Sequence, residues 1–346
     1  FFFHPHAGIP DPLWSRGLGD VYKRQVCNEW CKPEELKVSE IKNPTLDDNS
    51  VRVEIHASGV NFPDVLIVQG KYQYKPPFPF SPGSEVAGII SEIGKNVKSL
   101  KVGDRVMAVT GHGAFAEEIC VPEDKITLVP ENMDFITAAS MSLTYGTSSY
   151  ALFQRANIKE NDVVLIHGAT GGVGITAIEI SKAVGAKVIA TASTDEKLKI
   201  AKEYGADYCI NYSQNEFKDK VKEYTDGKGA NIIYDPVGGD VFNQSLRCIA
   251  WNGIILVIGF ASGTIASAPT NLPLLKNCSI VGVFWGAWRE REPNGHNVNM
   301  EKILKWWKDN KVKPKVSKVF NLEDTKYALQ ALINREVIGK AVIKVR

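Results

Sequence analysis

Residues Val163 to Ile166 form a short, continuously apolar run that breaks into glycines. Just beyond it an apolar helical period opens at Gly172, runs through Ile175, Ile178, Ile180 and Val184, and stops at Gly185. This is the pattern of a buried strand, a tight turn and an amphipathic helix. Further short apolar runs follow at Lys187–Ala192, Tyr208–Asn211, Ala230–Tyr234, Ile254–Ile258 and Ser279–Phe284. They alternate with helical patterns that end at Tyr204, lie near Asn215–Tyr224 and lie near Val241–Ile249. Six such runs predict an α/β domain, a six-stranded parallel sheet wound with helices on both faces.

The chain before this region has a different period. Val51, Val53 and Ile55 alternate with polar residues as a half-buried strand does. Short strand patterns follow at Ser84–Ile93, Arg105–Val109, Phe115–Val121 and Ile126–Leu128, with Gly103-Asp104 as a turn. Many short strands joined by glycine turns predict a small β-barrel or sandwich. After about Trp285 the pattern returns to helix, turn and strand and ends in an apolar run from Gly339 to Val345. That last strand is expected to rejoin the first domain. The expected division is therefore a β-rich domain of residues 26–147 and 286–346, interrupted by a dinucleotide-binding domain of residues 148–285. Residues 1–25 open Phe-Phe-Phe-His and carry Pro10, Pro12 and several glycines. They are expected to be a non-native scar, with a disordered extension or an organelle presequence as the alternative, and the first strand is expected to start at Val26.

The turn after the first apolar strand reads Ala169-x-Gly171-x-x-Gly174. Gly171 lets a backbone approach a diphosphate, and Gly174 lets the helix pack on its own strand. The free N–H groups and positive dipole end of the helix face the anion. Ala169, Thr170, Gly171, Gly172, Val173 and Gly174 are thus candidate dinucleotide contacts. The end of the second strand selects between nicotinamide cofactors. An NAD enzyme usually places a carboxylate there for the ribose hydroxyls. This chain has Ala192-Ser193-Thr194, with Lys197 one turn into the next helix, which favours NADPH. Ser193 and Glu196 also fit a helix capping box, and both readings are compatible.

Composition narrows the classes. A chain of 346 residues is expected to hold two domains, because single cores rarely grow past about 250–300 residues. Apolar content of 44% and charged content of 23% are ordinary for a globular chain. A net charge of +2 gives no reason to expect nucleic acid, and the basic stretch Lys308 to Lys318 reads as a solvated helix end and turn. No apolar run has the length to span a bilayer, so no membrane partner is expected. Six scattered cysteines without a Cys-x-x-Cys predict a reduced, cytoplasmic protein without disulfides.

The stretches Gly59-Val-Asn-Phe-Pro-Asp64, Pro82-Gly-Ser-Glu-Val-Ala-Gly88, Val102-Gly-Asp-Arg-Val106, Gly168-Ala-Thr-Gly-Gly-Val-Gly174, Asp235-Pro-Val-Gly-Gly239 and Gly339-Lys340 together resemble the medium-chain dehydrogenase/reductases. The resemblance is to the zinc-free quinone oxidoreductase branch and covers about Val26 to Arg346. It implies a Rossmann domain and a GroES-like catalytic domain completed by the C-terminal segment. The alcohol dehydrogenase branch has a Gly-His-Glu motif whose histidine binds catalytic zinc. Here the matching place reads Gly83-Ser84-Glu85, and Asn61 stands where that branch has a cysteine ligand. A catalytic zinc needs three N, S or O ligands and an open position, so no metal is expected. His56, His112 and His296 have no second ligand type at useful spacing.

The resemblance further implies Asn61, Asp64 and Tyr72 as catalytic residues lining the cleft beside the nicotinamide. Tyr72 could donate a proton or hydrogen bond, or simply pack among Tyr74, Phe78 and Phe80. Asn61 could equally cap the helix that Pro63 begins. Thr147 matches a residue near the carboxamide end of NADPH, and Ser193, Lys197 and Tyr212 match the pocket for its adenosine 2′-phosphate. Gly259-Phe260 and Phe284-Trp285 end the fifth and sixth strands at the edge where ligands bind such sheets, with core or dimer packing as the other reading. Lys340 follows the last glycine and belongs to the cofactor set. The expected activity is reduction of a quinone by NADPH. The alternatives are reduction of an enone or enoyl thioester, and NADPH binding with little turnover. A homodimer is implied by the resemblance alone.

Overall fold

The computed structural model describes residues 21–42 and 44–346. Two adjoining strands, β1 (Val21–Val26) and β2 (Lys37–Lys42), pair antiparallel over their whole length. The β-rich region then contributes β3 (Ser50–Val60), β4 (Glu85–Ile93), β5 (Arg105–Val109), β6 (Glu118–Pro122) and β7 (Ile126–Leu128). The nucleotide region holds β8 (Val163–Ile166), β9 (Lys187–Ala192), β10 (Tyr208–Asn211), β11 (Ala230–Asp235), β12 (Ile249–Val257) and β13 (Ser279–Gly282). The chain ends with β14 (Val316–Asn321) and β15 (Lys340–Lys344).

The six strands β8 to β13 form a parallel sheet in the order β10-β9-β8-β11-β12-β13. Counting from β8 this is 3-2-1-4-5-6, the doubly wound order with its switch point between β8 and β11. Crevices at a switch point open at the carboxyl ends of the strands, and there the glycine turn lies. Leu165, Ile189, Ile233 and Ile255 point to one face, and Val164, Ile166, Val188 and Leu256 to the other. Both faces are covered, which is why these strands read as continuous apolar runs.

The second sheet has seven strands, β14-β15-β3-β4-β5-β7, with β6 also pairing β3. The terminal strand β15 pairs antiparallel with β3, placing Ala341 opposite Val60. The glycine turn after β8 and the β-rich unit meet at an isolated parallel bridge between Gly171 and Gly339, where the Gly339 N–H donates to the Thr170 carbonyl at 2.8 Å. Gly339 has φ +69°, and a Cβ there would collide with the Lys315 backbone, so this crossing requires glycine. No helix among the described residues is long and apolar enough to cross a membrane.

Three expectations change. The first strand begins at Val21, not Val26, so residues 21–25 belong to the fold. The buried Tyr22 side chain joins the β-rich core, and Gln25 Nε2 donates to the Leu322 carbonyl at 2.7 Å. The prolines and glycines that disfavour structure all precede this strand. The expected extension otherwise falls on residues 1–20, which lie outside the described residues. The sixth strand ends at Gly282, because the chain turns into a helix at Trp285–Arg291. The cap of helix Asp195–Glu203 is Thr194 and not Ser193. Thr194 is extended, and its Oγ1 accepts the Lys197 N–H at 3.3 Å.

Candidate functional site

Strand β3 ends at Val60 and helix Phe62–Val68 begins one residue later, so Asn61 sits at a sharp change of direction. Its backbone is extended, and Pro63 in the first turn suits the missing donor there. The Asp64 carboxylate reaches back to accept the Asn61 N–H at 2.8 Å. This is one half of a capping box. The Asn61 side chain, however, faces away from the helix. Its Nδ2 donates to Glu85 Oε2 at 3.1 Å and to the Gly59 carbonyl at 3.3 Å, and its Oδ1 accepts from the Lys340 ammonium.

Lys340 Nζ also lies 2.9 Å from Glu85 Oε2, and both side chains are buried, at 5% and 0% exposure. The second Glu85 oxygen accepts the Leu143 N–H at 2.9 Å, at the start of helix Ser142–Ser149. Asn61, Glu85 and Lys340 thus form one buried cluster with every charge paired. A buried ion pair is worth keeping only when such hydrogen bonds complete it. Gly59 permits it, since a Cβ there would overlap Glu85 and the Ala139 carbonyl.

Asp64 lies beside this cluster and is fully buried. Ser84 Oγ donates to its Oδ1 at 3.0 Å. Burial pushes the Asp64 carboxyl up to about 7, against the hydrogen bonds from Asn61 and Ser84 and the charge of Lys340. Tyr72 packs at the edge of the neighbouring apolar cluster with Phe80 and Val68. Its hydroxyl is pushed above the ordinary phenol value first by burial and then by the charge of Asp64. Burial thus favours the neutral form of both groups.

This cluster occupies the place of a zinc site and does not suit a metal. Ser84 is committed to Asp64, Asn61 is committed to Glu85 and Lys340, and a lysine cation lies among them. Among the described residues no group of three or more His, Cys, Asp or Glu side chains could hold a metal ion.

The glycine turn lies on the other side of Lys340. A Cβ built on Gly172 would stand 3.4 Å from Lys340 Cδ and 3.0 Å from Thr144 Cγ2, so the lysine stem passes over the turn. Helix Gly172–Val184 starts at Gly171 with no side chain capping it, which leaves its first N–H groups free for an anion. A Cβ on Gly174 would overlap Gly168 and Ala169, so this glycine lets helix and strand meet. Ala169 N–H is tied to Thr191 O at 3.1 Å, holding the turn against β9. This donor set fits a diphosphate. Thr147 lies half-buried on helix Ser142–Ser149, whose Ser148 Oγ contacts Thr176 Oγ1 and Tyr234 Oη, each at 2.8 Å.

At the far end of the crevice the structure brings Ser193, Lys197 and Tyr212 to one surface. Ser193 O accepts from Ser213 Oγ at 3.0 Å, and Tyr212 N–H donates to Ala192 O at 3.2 Å with its ring exposed. Asp195, in the first turn of the helix that carries Lys197, accepts from Asn211 Nδ2 at 2.7 Å. The sequence reading missed Arg335 here. Its carbonyl accepts from Lys197 Nζ at 3.4 Å, and its Nη2 donates to Ala261 O at 3.5 Å. No motif in the sequence marks this arginine, and nothing local ties it to Lys197. Phe260 is partly exposed and lies against Gly238, in the loop where Asp235 Oδ1 accepts the N–H groups of Val237 and Gly238. Gly259 precedes it beside the Pro236 carbonyl. Trp285 is buried against Gly146, where a Cβ would come within 2.5 Å of the indole, whereas Phe284 is 60% exposed.

Comparisons with known proteins agree with this geometry. The alcohol dehydrogenase GroES-like domain family matches residues 47–131, and the zinc-binding dehydrogenase family matches residues 172–298. The quinone oxidoreductase-like protein 2 homolog of Nematostella vectensis is 42% identical over 94% of this chain and 89% of its own length. The structure of Escherichia coli quinone oxidoreductase complexed with NADPH superposes with a TM-score of 0.85 at 29% identity, covering 93% of this chain and 99% of that one. The CurK enoyl reductase structure superposes with a TM-score of 0.85 at 26% identity, covering 94% and 99%.

Proposed function

The chain belongs to the zinc-free quinone oxidoreductase branch of the medium-chain dehydrogenase/reductases, and from that premise we propose that it reduces quinones with NADPH. The observation that carries this reading is the buried Asn61–Glu85–Lys340 cluster beside the glycine turn, a cation-centred site where zinc enzymes hold their metal. NADPH supplies a hydride or electrons from the nicotinamide C4. The free N–H groups at Gly172 to Gly174 hold the diphosphate, and Lys340 adds a fixed positive charge beside it. Ser193, Lys197, Tyr212 and Arg335 hold the 2′-phosphate, and Thr147 and Trp285 border the nicotinamide.

Tyr72 and Phe260 supply aromatic walls for a flat, conjugated acceptor. A quinone delocalises the charge it gains, so it needs hydrogen-bond donors more than a Lewis acid. Both Asn61 amide hydrogens are engaged, so Asn61 orients Lys340 and Glu85 rather than touching the acceptor. The Tyr72 hydroxyl is the donor for the developing oxyanion, with Asp64 behind it. Free thiols at all six cysteines support a reducing, cytoplasmic setting. The exposed edge strand β13 supports a homodimer formed through the nucleotide domain.

Similarity to an enoyl reductase supports a second reading, reduction of an enone or enoyl-thioester C=C bond. Steady-state loss of the reduced-nicotinamide absorbance with benzoquinone, phenanthrenequinone, an enone and an enoyl thioester separates the two. Faster turnover of the quinones supports the first reading. Turnover of the enone or thioester alone transfers the protein to the second, and tight NADPH binding with no turnover assigns it a binding role.

A further inference from the structure

Helix Trp285–Arg291 follows β13 directly, at the carboxyl edge where ligands bind a parallel sheet. Trp285 and Trp288 anchor it, packing with Val109, Leu143 and Tyr150. Arg289 stands one turn beyond Trp285 and is held firmly. Its Nη1 donates to the Val109 carbonyl at 2.9 Å, and its guanidinium carbon lies 5.4 Å from the centre of the Trp285 ring. Val109 is the residue of β5 paired with Glu85 of β4. The guanidinium is therefore fixed one strand away from the Asn61–Glu85–Lys340 cluster, where the β-rich domain faces the Rossmann domain.

This cation is under-used. Arginine carries five N–H donors, and among the described residues the Val109 carbonyl is the hydrogen-bond partner it finds. Among the described residues no carboxylate lies within ion-pair distance of it. Burial, offset only partly by Glu290 and Asp124 at longer range, holds Arg289 below the ordinary arginine value. The aromatic and imidazole groups packed near it carry no negative charge. Trp285 Nε1 and His296 Nδ1 are both buried and find no hydrogen-bond partner among the described residues. His296 is pushed down to about 4, first by burial and then by the Arg289 charge, and is neutral. A half-buried guanidinium without an ion-pair partner keeps most of its donors available to a ligand. Its planar fork matches a carboxylate in two parallel hydrogen bonds.

We infer that Arg289 is the anion-recognising residue of the acceptor cleft, and that the favoured acceptor carries a carboxylate beyond its conjugated carbonyl. The inference rests on the proposed reduction of a conjugated acceptor in this cleft. It is tested with a neutral and an anionic acceptor of one ring system, phenanthrenequinone and its carboxylate, in the wild type, Arg289→Gln and Arg289→Lys. Arg289→Gln is expected to lower kcat/KM for the carboxylate about ten- to hundredfold, the loss expected for a charged hydrogen bond, mainly through KM. Turnover of the neutral quinone falls far less than that of the carboxylate, and Arg289→Lys recovers part of the loss on the carboxylate. Phenanthrene carboxylate inhibits the wild type competitively, and its methyl ester does so far more weakly. Equal losses on both acceptors, or equal inhibition by acid and ester, overturn the inference while leaving the proposed function intact. Failure of the wild type to reduce either quinone overturns the proposed function and this inference with it.

Discussion

Lys340 reaches Asn61 across 279 positions of sequence and Glu85 across 255, and its ammonium is the positive charge of the buried cluster. Removing it strands the Glu85 carboxylate in a fully buried position. Lys340→Met is expected to cost on the order of 3–5 kcal/mol, the usual penalty for breaking a buried pair from one side. Chemical denaturation checks this, and a loss under 1 kcal/mol would show that Glu85 finds other partners. At the opposite end of the crevice, Arg335→Ala and Lys197→Ala are each expected to raise KM for NADPH about ten- to hundredfold and leave KM for NADH nearly unchanged. That range follows from one charged contact to a phosphate. An unaltered preference between the two cofactors would remove the residue from the pocket. These residues differed in how far sequence revealed them. Gly171 and Gly174 sit in a local motif whose spacing is the geometry. Lys197 lies one turn after a strand end, so local reading also reaches it. Arg335 and the partners of Lys340 depend on where a distant strand docks, and no local spacing encodes that.

Helix Gly172–Val184 joins the cofactor site to the core through Glu179. The Glu179 carboxylate accepts from Tyr145 Oη at 2.6 Å and from the Lys313 N–H, so it ties together the helix, its neighbour Ser142–Ser149 and the approach to β14. Burial pushes Glu179 up to about 7, above the ordinary carboxyl value of about 4.3. Between about pH 4 and about pH 7 the folded chain keeps a proton that the unfolded chain releases, so this group lowers stability as pH rises through that window. Glu179→Gln removes the effect. Urea midpoints of Glu179→Gln relative to wild type are expected to climb from about pH 4 to about pH 7 and then level off. A constant difference across that range would mean that Glu179 titrates normally. At this scale the alternating apolar runs placed β8, β9 and β10 at the observed residues, because buried parallel strands leave little freedom in pattern. Strand β14 and the start of β1 went unrecognised. Val316–Asn321 alternates half-buried and exposed positions without a fully buried residue, and β1 was masked by the prolines and glycines before it.

The molecule is tied together by its last segment, which bridges the glycine turn at Gly339 and enters the β-rich sheet as β15 from Lys340. The cofactor turn and the acceptor cluster therefore share one strand, and movement of either domain is felt at both. On the outer side, β13 leaves Ile280 exposed at the end of the parallel sheet, with Leu274 and Leu275 of the preceding helix exposed nearby. An unpaired apolar edge is a ready surface for self-association. Light scattering is expected to give twice the chain mass for the wild type and the monomer mass for Ile280→Asp; a monomeric wild type would contradict the proposed dimer. For the chemistry, the decisive measurement is phenanthrenequinone reduction by NADPH and by NADH after exhaustive dialysis against a chelator, with the metal content of the same sample determined. Undiminished turnover of metal-free protein, with kcat/KM at least tenfold higher for NADPH, is the expected result. Loss of activity on dialysis that zinc restores, or equal use of NADH, would contradict the assignment of this cleft to metal-independent, NADPH-linked reduction.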